Sequence, residues 1–360
     1  MKEKLTFLDL WDINNKKITD FPKELHKGYK LRKEQSKYKF NTKNNSILNI
    51  FRNLQNQPSN IINPQTFCIS IKKIFENLKN IEIIVKDIKQ LKKENLNLVL
   101  SVDKLTSKML IIKYKGNETN KTDLALIGKG VTFDAGGYSL KPTTSMLNMN
   151  LDKTGGCMVS YIIYCLANKK IKKNIIGCIP LVQNDISHIA TKPGDIVKSY
   201  SGIKVEITNT DAEGRLILAD GISYCIDKYK PDKIIDMGTV TGIDFCKISY
   251  AYFTLSDKLS DLIEDTSTKF GEKLIRLYPW KEYIRYTKSV RGDIKNSYFN
   301  CNDKTMAALF LLNFIPKKYE DKWIHINLAE LSVNKNVAIL EGSESILSFV
   351  NRSLFSKAES

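Results

Sequence analysis

The chain has 360 residues, 42% of them hydrophobic and 26% charged, which is ordinary globular composition and excludes a largely disordered chain. With 18 Gly and 9 Pro it is not collagen-like or mucin-like either. Its 56 basic and 39 acidic residues leave +17, but only seven of the basic residues are Arg, the residue on which base and phosphate readers lean, so nucleic acid is expected to be a weak partner at most.

Residues 1–45 are polar and Lys-rich, with few periodic apolar positions, and are expected to form a short extension ahead of one large domain over 46–360. Phe67, Ile71, Ile74 and Phe75 predict a helix over 66–78. Ile81–Val85, Met109–Tyr114 and Leu124–Ile127 read as strands, and 153–167 as a helix with a Gly pair near its start. Ile175–Leu181 is an apolar strand, and Asp195–Ser199 with Lys204–Thr208 flank Ser201-Gly202 as a hairpin. A helix over 212–227 precedes a buried strand at Lys233–Met237. Helical patterns recur near 258–274, 304–314 and 342–354, with a late strand at His325–Leu328. Short apolar strands alternating with helices predict an α/β fold: a mixed, mostly parallel sheet with helices on both faces. Ligands of such sheets sit beyond the carboxyl ends of the strands.

Seven cysteines form no CxxC pair and mostly lie in apolar surroundings, as small core residues of a reducing compartment do. Residues 1–10 lack the apolar stretch of a signal peptide, and no run of about 18 apolar residues predicts a membrane span. A cytoplasmic protein is expected.

The three histidines, His26, His188 and His325, have no second His or Cys at ligand spacing, which argues against a His-based zinc site and against a Ser-His-Asp triad. Any metal ligands must then be mainly carboxylates. Two segments supply them. Gly128-Lys129-Gly130-Val131-Thr132-Phe133-Asp134-Ala135-Gly136-Gly137-Tyr138-Ser139-Leu140-Lys141 runs on to Asp152, and the second is Asn209-Thr210-Asp211-Ala212-Glu213-Gly214-Arg215-Leu216. In both, charged residues sit in Gly-flanked turns after apolar strands, where a backbone can approach a ligand closely. The glycines around Lys129 fit neither phosphate-loop nor dinucleotide spacing. Singly, Asp134, Asp152, Asp211 and Glu213 read as turn and cap residues; together they suit two divalent cations sharing bridging oxygens.

These two segments resemble the signatures of the cytosolic leucyl aminopeptidases, a family of dinuclear metallopeptidases. NTDAEGRL at 209–216 is similar to the family signature, and GKGVTFDAGGYSLK at 128–141 to its first metal-binding segment. Pro193-Gly194-Asp195, Gly238–Gly242 and Ala307–Leu311 resemble later segments, so the resemblance covers about 46–360; residues 1–45 do not resemble the family's larger N-terminal domain and are expected to be a remnant of it. It implies that Lys129, Asp134, Asp152 and Glu213 hold one metal and Asp134, Asp211 and Glu213 the other, zinc or manganese. It implies that Lys141 polarises the scissile carbonyl, that Arg215 holds a bicarbonate ion acting as general base, and that Met149, Thr239 and Gly242 border the first-residue pocket. The implied reaction removes the N-terminal residue of a peptide by attack of a metal-bridging hydroxide, in a homohexamer. Two segments depart from the family pattern. Tyr298–Lys304, which includes Asp303, replaces a Gly/Ala-rich loop, and Asn327 and Glu330 stand where the family tends to show Asp and Gly. If the first borders the first-residue pocket as in the family, the pocket is expected to be narrower and more polar, with a weaker leucine preference. A binding or regulatory protein that keeps the fold and acts on DNA is the alternative reading, and the intact ligand set favours the enzyme.

Overall fold

A computed structural model of the chain describes residues 42–242, 249–278, 280–298, 305–328, 340 and 342–355. His26, Cys246, Cys301, Asp303 and Glu330 lie outside the described residues, as does most of the divergent loop after Tyr298. Among the described residues the main sheet has nine strands. They are β1 (Ile81–Lys86), β2 (Lys108–Tyr114), β3 (Leu124–Gly128), β4 (Gly130–Asp134), β5 (Ile175–Asn184), β8 (Lys233–Gly238), β9 (Tyr250–Thr254), β10 (Leu274–Arg276) and β12 (Trp323–Asn327). The order is β1-β2-β5-β3-β8-β12-β9-β10, with β4 also on β5. β5, β3, β8 and β12 run parallel, whereas β1 and β2 join one side antiparallel and β9 lies antiparallel to β12. The sheet is therefore mixed and mostly parallel, as its alternation with helices predicts. A small second sheet joins the hairpin β6 (Ile196–Lys198) and β7 (Lys204–Glu206) to β11 (Ile294–Lys295).

Helices cover both faces, each over its own hydrophobic cluster. One face carries α1 (Thr42–Asn56), α2 (Pro64–Phe75), α5 (Thr154–Asn168), α7 (Asp257–Phe270) and α9 (Ser343–Phe355); the other carries α3 (Ile88–Lys93), α4 (Asn97–Val102), α6 (Glu213–Tyr229) and α8 (Thr305–Leu312). α2 starts on a capping box: the Asn63 side chain accepts from Gln65 N and Thr66 N, and Thr66 returns a bond to Asn63 N. α7 ends at Gly271, whose φ of 67° breaks the helical path, so the pattern extending to 274 resolves into a shorter helix followed by β10. Cys68, Cys157, Cys165, Cys178 and Cys225 are all buried and free. Among the described residues no helix is long and apolar enough to cross a membrane.

One irregularity positions the site. β3 and β4 are two pieces of a single path along β5, broken at Lys129. β3 pairs with β5 up to Cys178 and β4 takes over from Leu181, so Pro180, which has no N–H to give, sits at the hand-over. The Lys129 backbone instead bonds sideways, its N–H to Met237 O at 3.0 Å and its C=O to Gly156 N at 2.8 Å. The first turn of α5 thereby seats directly on the ends of β3 and β8. Only Gly fits there: a Cβ at Gly155 would lie 2.4 Å from Met237 O and 2.7 Å from Lys129 N.

Candidate metal centre

The break in the β3–β4 path turns the Lys129 side chain toward the carboxyl end of the sheet. Its ammonium lies 2.6 Å from Asp152 Oδ2 and 2.8 Å from Glu213 Oε1, and donates to Thr239 O at 2.6 Å. Gly214 and Gly238 leave the room this side chain occupies, since a Cβ on either would meet Lys129 carbons at 2.6–2.7 Å. Asp134 ends β4. Its Oδ1 accepts from Asn184 Nδ2 at 2.8 Å and from Gly136 N at 2.9 Å, and its Oδ2 lies 2.9 Å from the Lys141 ammonium. Lys141 reaches Asp211 Oδ1 at 2.5 Å as well. Asp152 comes from a 3₁₀ turn, Met149–Lys153, that runs straight into α5, and its Oδ1 accepts from the Thr239 hydroxyl. Glu213 is the first residue of α6. Carboxylate oxygens of Asp134, Asp211 and Glu213 all lie within 4.8 Å of one another.

Two loops are tied together to make this cluster. Thr210 Oγ1 donates to Gly136 O at 2.6 Å and accepts from Ser139 N at 2.8 Å, which binds the two Gly-bearing segments directly. Asn296, following β11, holds the 208–212 turn by its side chain. Its Oδ1 accepts from Thr208 N at 2.8 Å and Asn209 N at 3.2 Å, and its Nδ2 donates to Asn209 O at 2.6 Å and Ala212 O at 3.3 Å. Asn296 also gives its own carbonyl to Arg215, at 2.7 Å from NH1.

Burial dominates the electrostatics. It raises the pKa of both Asp152 and Glu213; for Glu213 the nearby Asp134 charge adds to the rise, while Lys129 counters it. Burial alone would lower the two lysines. The carboxylates of Asp152, Glu213 and Asp134 outweigh it at Lys129, and those of Asp134, Glu213 and Asp211 at Lys141, so both are held above their ordinary range. Burial lowers Arg215 to about 10, against the pull of Glu213. Among the residues of this cluster, three buried atoms have no aligned hydrogen-bond partner: Asp152 Oδ2, Asp211 Oδ1 and Arg215 Nε. The first two lie at ion-pair distance from a lysine, but not in hydrogen-bonding direction. Oxygen-rich donors with unspent lone pairs, plus one amine, are a donor set that fits divalent cations.

The structure thus brings Lys129, Asp134, Lys141, Asp152, Asp211, Glu213 and Thr239 into one contact network, with Arg215 one helical step behind Glu213. Thr239 touches Lys129 and Asp152 directly. Met149 is half-buried at the start of the turn that carries Asp152. Gly242 is exposed, with nothing within 4 Å of where its Cβ would be. Asn184, Asn296 and Thr210 are the site residues that sequence reasoning passes over. The one available signal was position: Asn184 follows the apolar run of β5 at a carboxyl end.

The buried carboxylate–lysine cluster thus lies at the carboxyl ends of the strands, where α/β sheets bind their ligands. Residues 49–347 match the family model described as cytosol aminopeptidase family, catalytic domain. The chain belongs to the cytosol aminopeptidase family. It is 36% identical over 306 residues to a protein of Clostridium tetani named "Probable cytosol aminopeptidase", covering 83% of this chain and 63% of that one. Proteins of the same name from Brucella anthropi (37% identical, 77% of this chain, 56% of theirs) and Fusobacterium nucleatum (32% identical, 91% and 66%) are similar too. The chain spans less than two thirds of the length of these curated relatives.

The Asn296 clamp is testable without any substrate. Asn296→Ala removes both halves of the bracket around the 208–212 turn and should cost about 1–3 kcal/mol, the penalty for leaving buried partners unpaired. Asn296→Asp keeps the acceptor but sets a carboxylate oxygen against the Asn209 and Ala212 carbonyls, so it should cost at least as much. Denaturant unfolding measures both, and an unchanged midpoint for the Ala variant would show that the turn holds itself.

Proposed function

We propose that this chain is a metal-dependent aminopeptidase that hydrolyses the N-terminal residue from peptides. The observation that carries the reading is the single buried cluster in which four carboxylates meet two lysines, on the residues that match the family signatures. Lys129, Asp134, Asp152, Asp211 and Glu213 hold two divalent cations, zinc or manganese. When bound, such a pair lowers the pKa of water and draws electron density from a carbonyl. Lys129 serves as a ligand only as the free amine; committing the surrounding carboxylates to cations removes what keeps its proton on.

Lys141 pairs with Asp134 and Asp211; as a cation that does not itself ligate metal, it would polarise the scissile carbonyl and meet the charge that develops on its oxygen. Arg215 presents a buried Nε with no partner, a donor suited to a planar anion such as bicarbonate acting as general base. Met149, Thr239 and Gly242 border the pocket for the first side chain. Residues 46–360 form the catalytic domain and 1–45 an extension; the protein works in the cytoplasm as a homohexamer.

Asp134→Ala or Glu213→Ala should lower hydrolysis of leucyl amide by several orders of magnitude, on the scale of lost metal activation, and should lower bound metal per chain. Near-wild-type turnover by Glu213→Ala would sink the ligand assignment. Arg215→Ala should be milder, and added bicarbonate should speed wild type more than the variant; an equal response in both removes Arg215 from that role. Light scattering at micromolar concentration decides assembly, since a monomer there contradicts the hexamer.

A further inference from the structure

A ladder of aromatic rings leads away from the metal centre. Tyr298 stands two residues beyond Asn296, and Ser297 between them accepts from Thr208 Oγ1 at 2.9 Å, so the ladder begins at the backbone that clamps the 208–212 turn. From Tyr298 the ring centroids step 5.2 Å to Tyr286, 5.8 Å to Tyr283, 6.4 Å to Trp280 and 5.6 Å to Tyr278. The inner three rings are half-buried against the core, whereas Trp280 and Tyr278 are 50% and 59% exposed.

Cations are interleaved with the rings. Lys295 lies 4.5 Å over Tyr298 and Arg285 lies 5.1 Å over Tyr286. Among the described residues neither has a carboxylate at ion-pair distance, unlike Arg276, which is bound to Asp257 at 3.0 Å. Residues 274–298 hold six basic and two acidic residues, and three of the chain's seven Arg fall between 276 and 291. Folding gains little from leaving Trp280 and Tyr278 exposed; a ligand that covers these outer rings and brings negative charge to Lys295 and Arg285 further in gains from both.

We propose that this ladder receives the retained, C-terminal part of an acidic peptide while its N-terminal residue sits at the metal centre. The proposal rests on the aminopeptidase reading and adds a substrate class to it. Two observations favour a peptide. The inner end of the ladder, Tyr298, follows Asn296 and Ser297, which hold the turn carrying Asp211, so it starts beside the proposed catalytic site from which the retained chain must leave. Its steps of 5.2–6.4 Å are close to the roughly 6.6–7 Å between alternate side chains of an extended peptide, so successive rings meet successive side chains on one face. The rings are tilted by 35–47° to one another and do not offer the parallel faces on which a run of bases stacks.

The experiment compares leucyl amide with the pentapeptide Leu-Ala-Asp-Tyr-Asp and its Lys-for-Asp counterpart, in wild type, Trp280→Ala, Trp280→Phe and Arg285→Ala. Wild type should show a higher kcat/KM for the acidic pentapeptide than for the basic one. Trp280→Ala and Arg285→Ala should each raise KM for the acidic pentapeptide about five- to tenfold, the range of an aromatic or Arg anchor, and leave leucyl amide within twofold. Trp280→Phe should retain most of the effect. Equal kcat/KM for the two pentapeptides, or a KM indifferent to both Ala variants, overturns the proposal. An equal loss on leucyl amide overturns it as well, because the ladder would then serve only the fold. Fluorescence anisotropy of the acidic pentapeptide, dye-labelled at its C-terminus, reads the ladder independently of turnover. If leucyl amide is not cleaved at all while anisotropy still falls in Trp280→Ala, the aminopeptidase reading fails and the ladder stands. If oligo-dT displaces the labelled peptide and binds more tightly than it, the surface belongs to single-stranded nucleic acid and the peptide assignment falls.

Discussion

Four carboxyl groups share one place at the end of the sheet, and apolar packing cannot hold them there. Asp134, Asp152 and Glu213 are almost fully buried and Asp211 is 30% exposed at its side chain, so each pays for leaving water and repels its neighbours. The Lys129 and Lys141 ammonium groups answer part of this, one bridging Asp152 and Glu213, the other bridging Asp134 and Asp211. Two positive charges against four negative ones leave the cluster short of cations, and atoms on Asp152 and Asp211 lack aligned partners. A buried charge with no full answer is weak evidence for stability and marks a candidate ligand site.

The fold meets that demand through backbone placement. Glycine at 155 lets the first turn of α5 rest on the carbonyl of Met237, which fixes Asp152 just ahead of it against Lys129. Glycines at 214 and 238 leave the channel that the Lys129 side chain fills. Small polar side chains then lock the loops: Thr210 to Gly136 and Ser139, Asn184 between Asp134 and Glu213, Asn296 around the 208–212 turn. Each lock joins segments far apart in sequence. The cluster is therefore a property of the folded sheet edge and has no local precursor in the unfolded chain.

That difference explains what was legible beforehand. The alternation of strands and helices was readable because β1, β2, β3, β5 and β8 are short β-branched or apolar runs between turn residues. The charged residues that meet in the candidate site could be singled out as a group because all but Asp152 cluster in two Gly-bearing segments. Asn184, Asn296 and Thr210 were not, because an Asn or Thr near a strand end looks the same whether it caps a turn or orients a carboxylate; only its partner across the fold tells. β4, the continuation of β3 past Lys129, was hidden by the glycines that make the break possible. β9 is buried at every position and so shows no alternation. The helices α3 and α4, six residues each, are too short for a period to emerge.

Asn327 shows how a departure from the family pattern can be absorbed by the surrounding backbone. It ends β12 beside the 239–242 segment, at a position where the resemblance leads one to expect Asp. Its Oδ1 accepts from Val240 N at 3.2 Å, a bond that a carboxylate could make equally well. Its Nδ2 donates to Thr241 O at 3.0 Å and to Thr241 Oγ1 at 2.7 Å, and a carboxylate has no proton for the first of these. The amide thus brackets the segment from both sides, which a carboxylate beside a carbonyl would push apart. Because Thr239 in that segment touches both Lys129 and Asp152, the bracket reaches the metal centre through one short stretch of backbone. A change that alters only the kind of hydrogen bond at a strand end is therefore compatible with an intact set of charged groups, and its influence falls on the wall of the pocket that this segment is proposed to form.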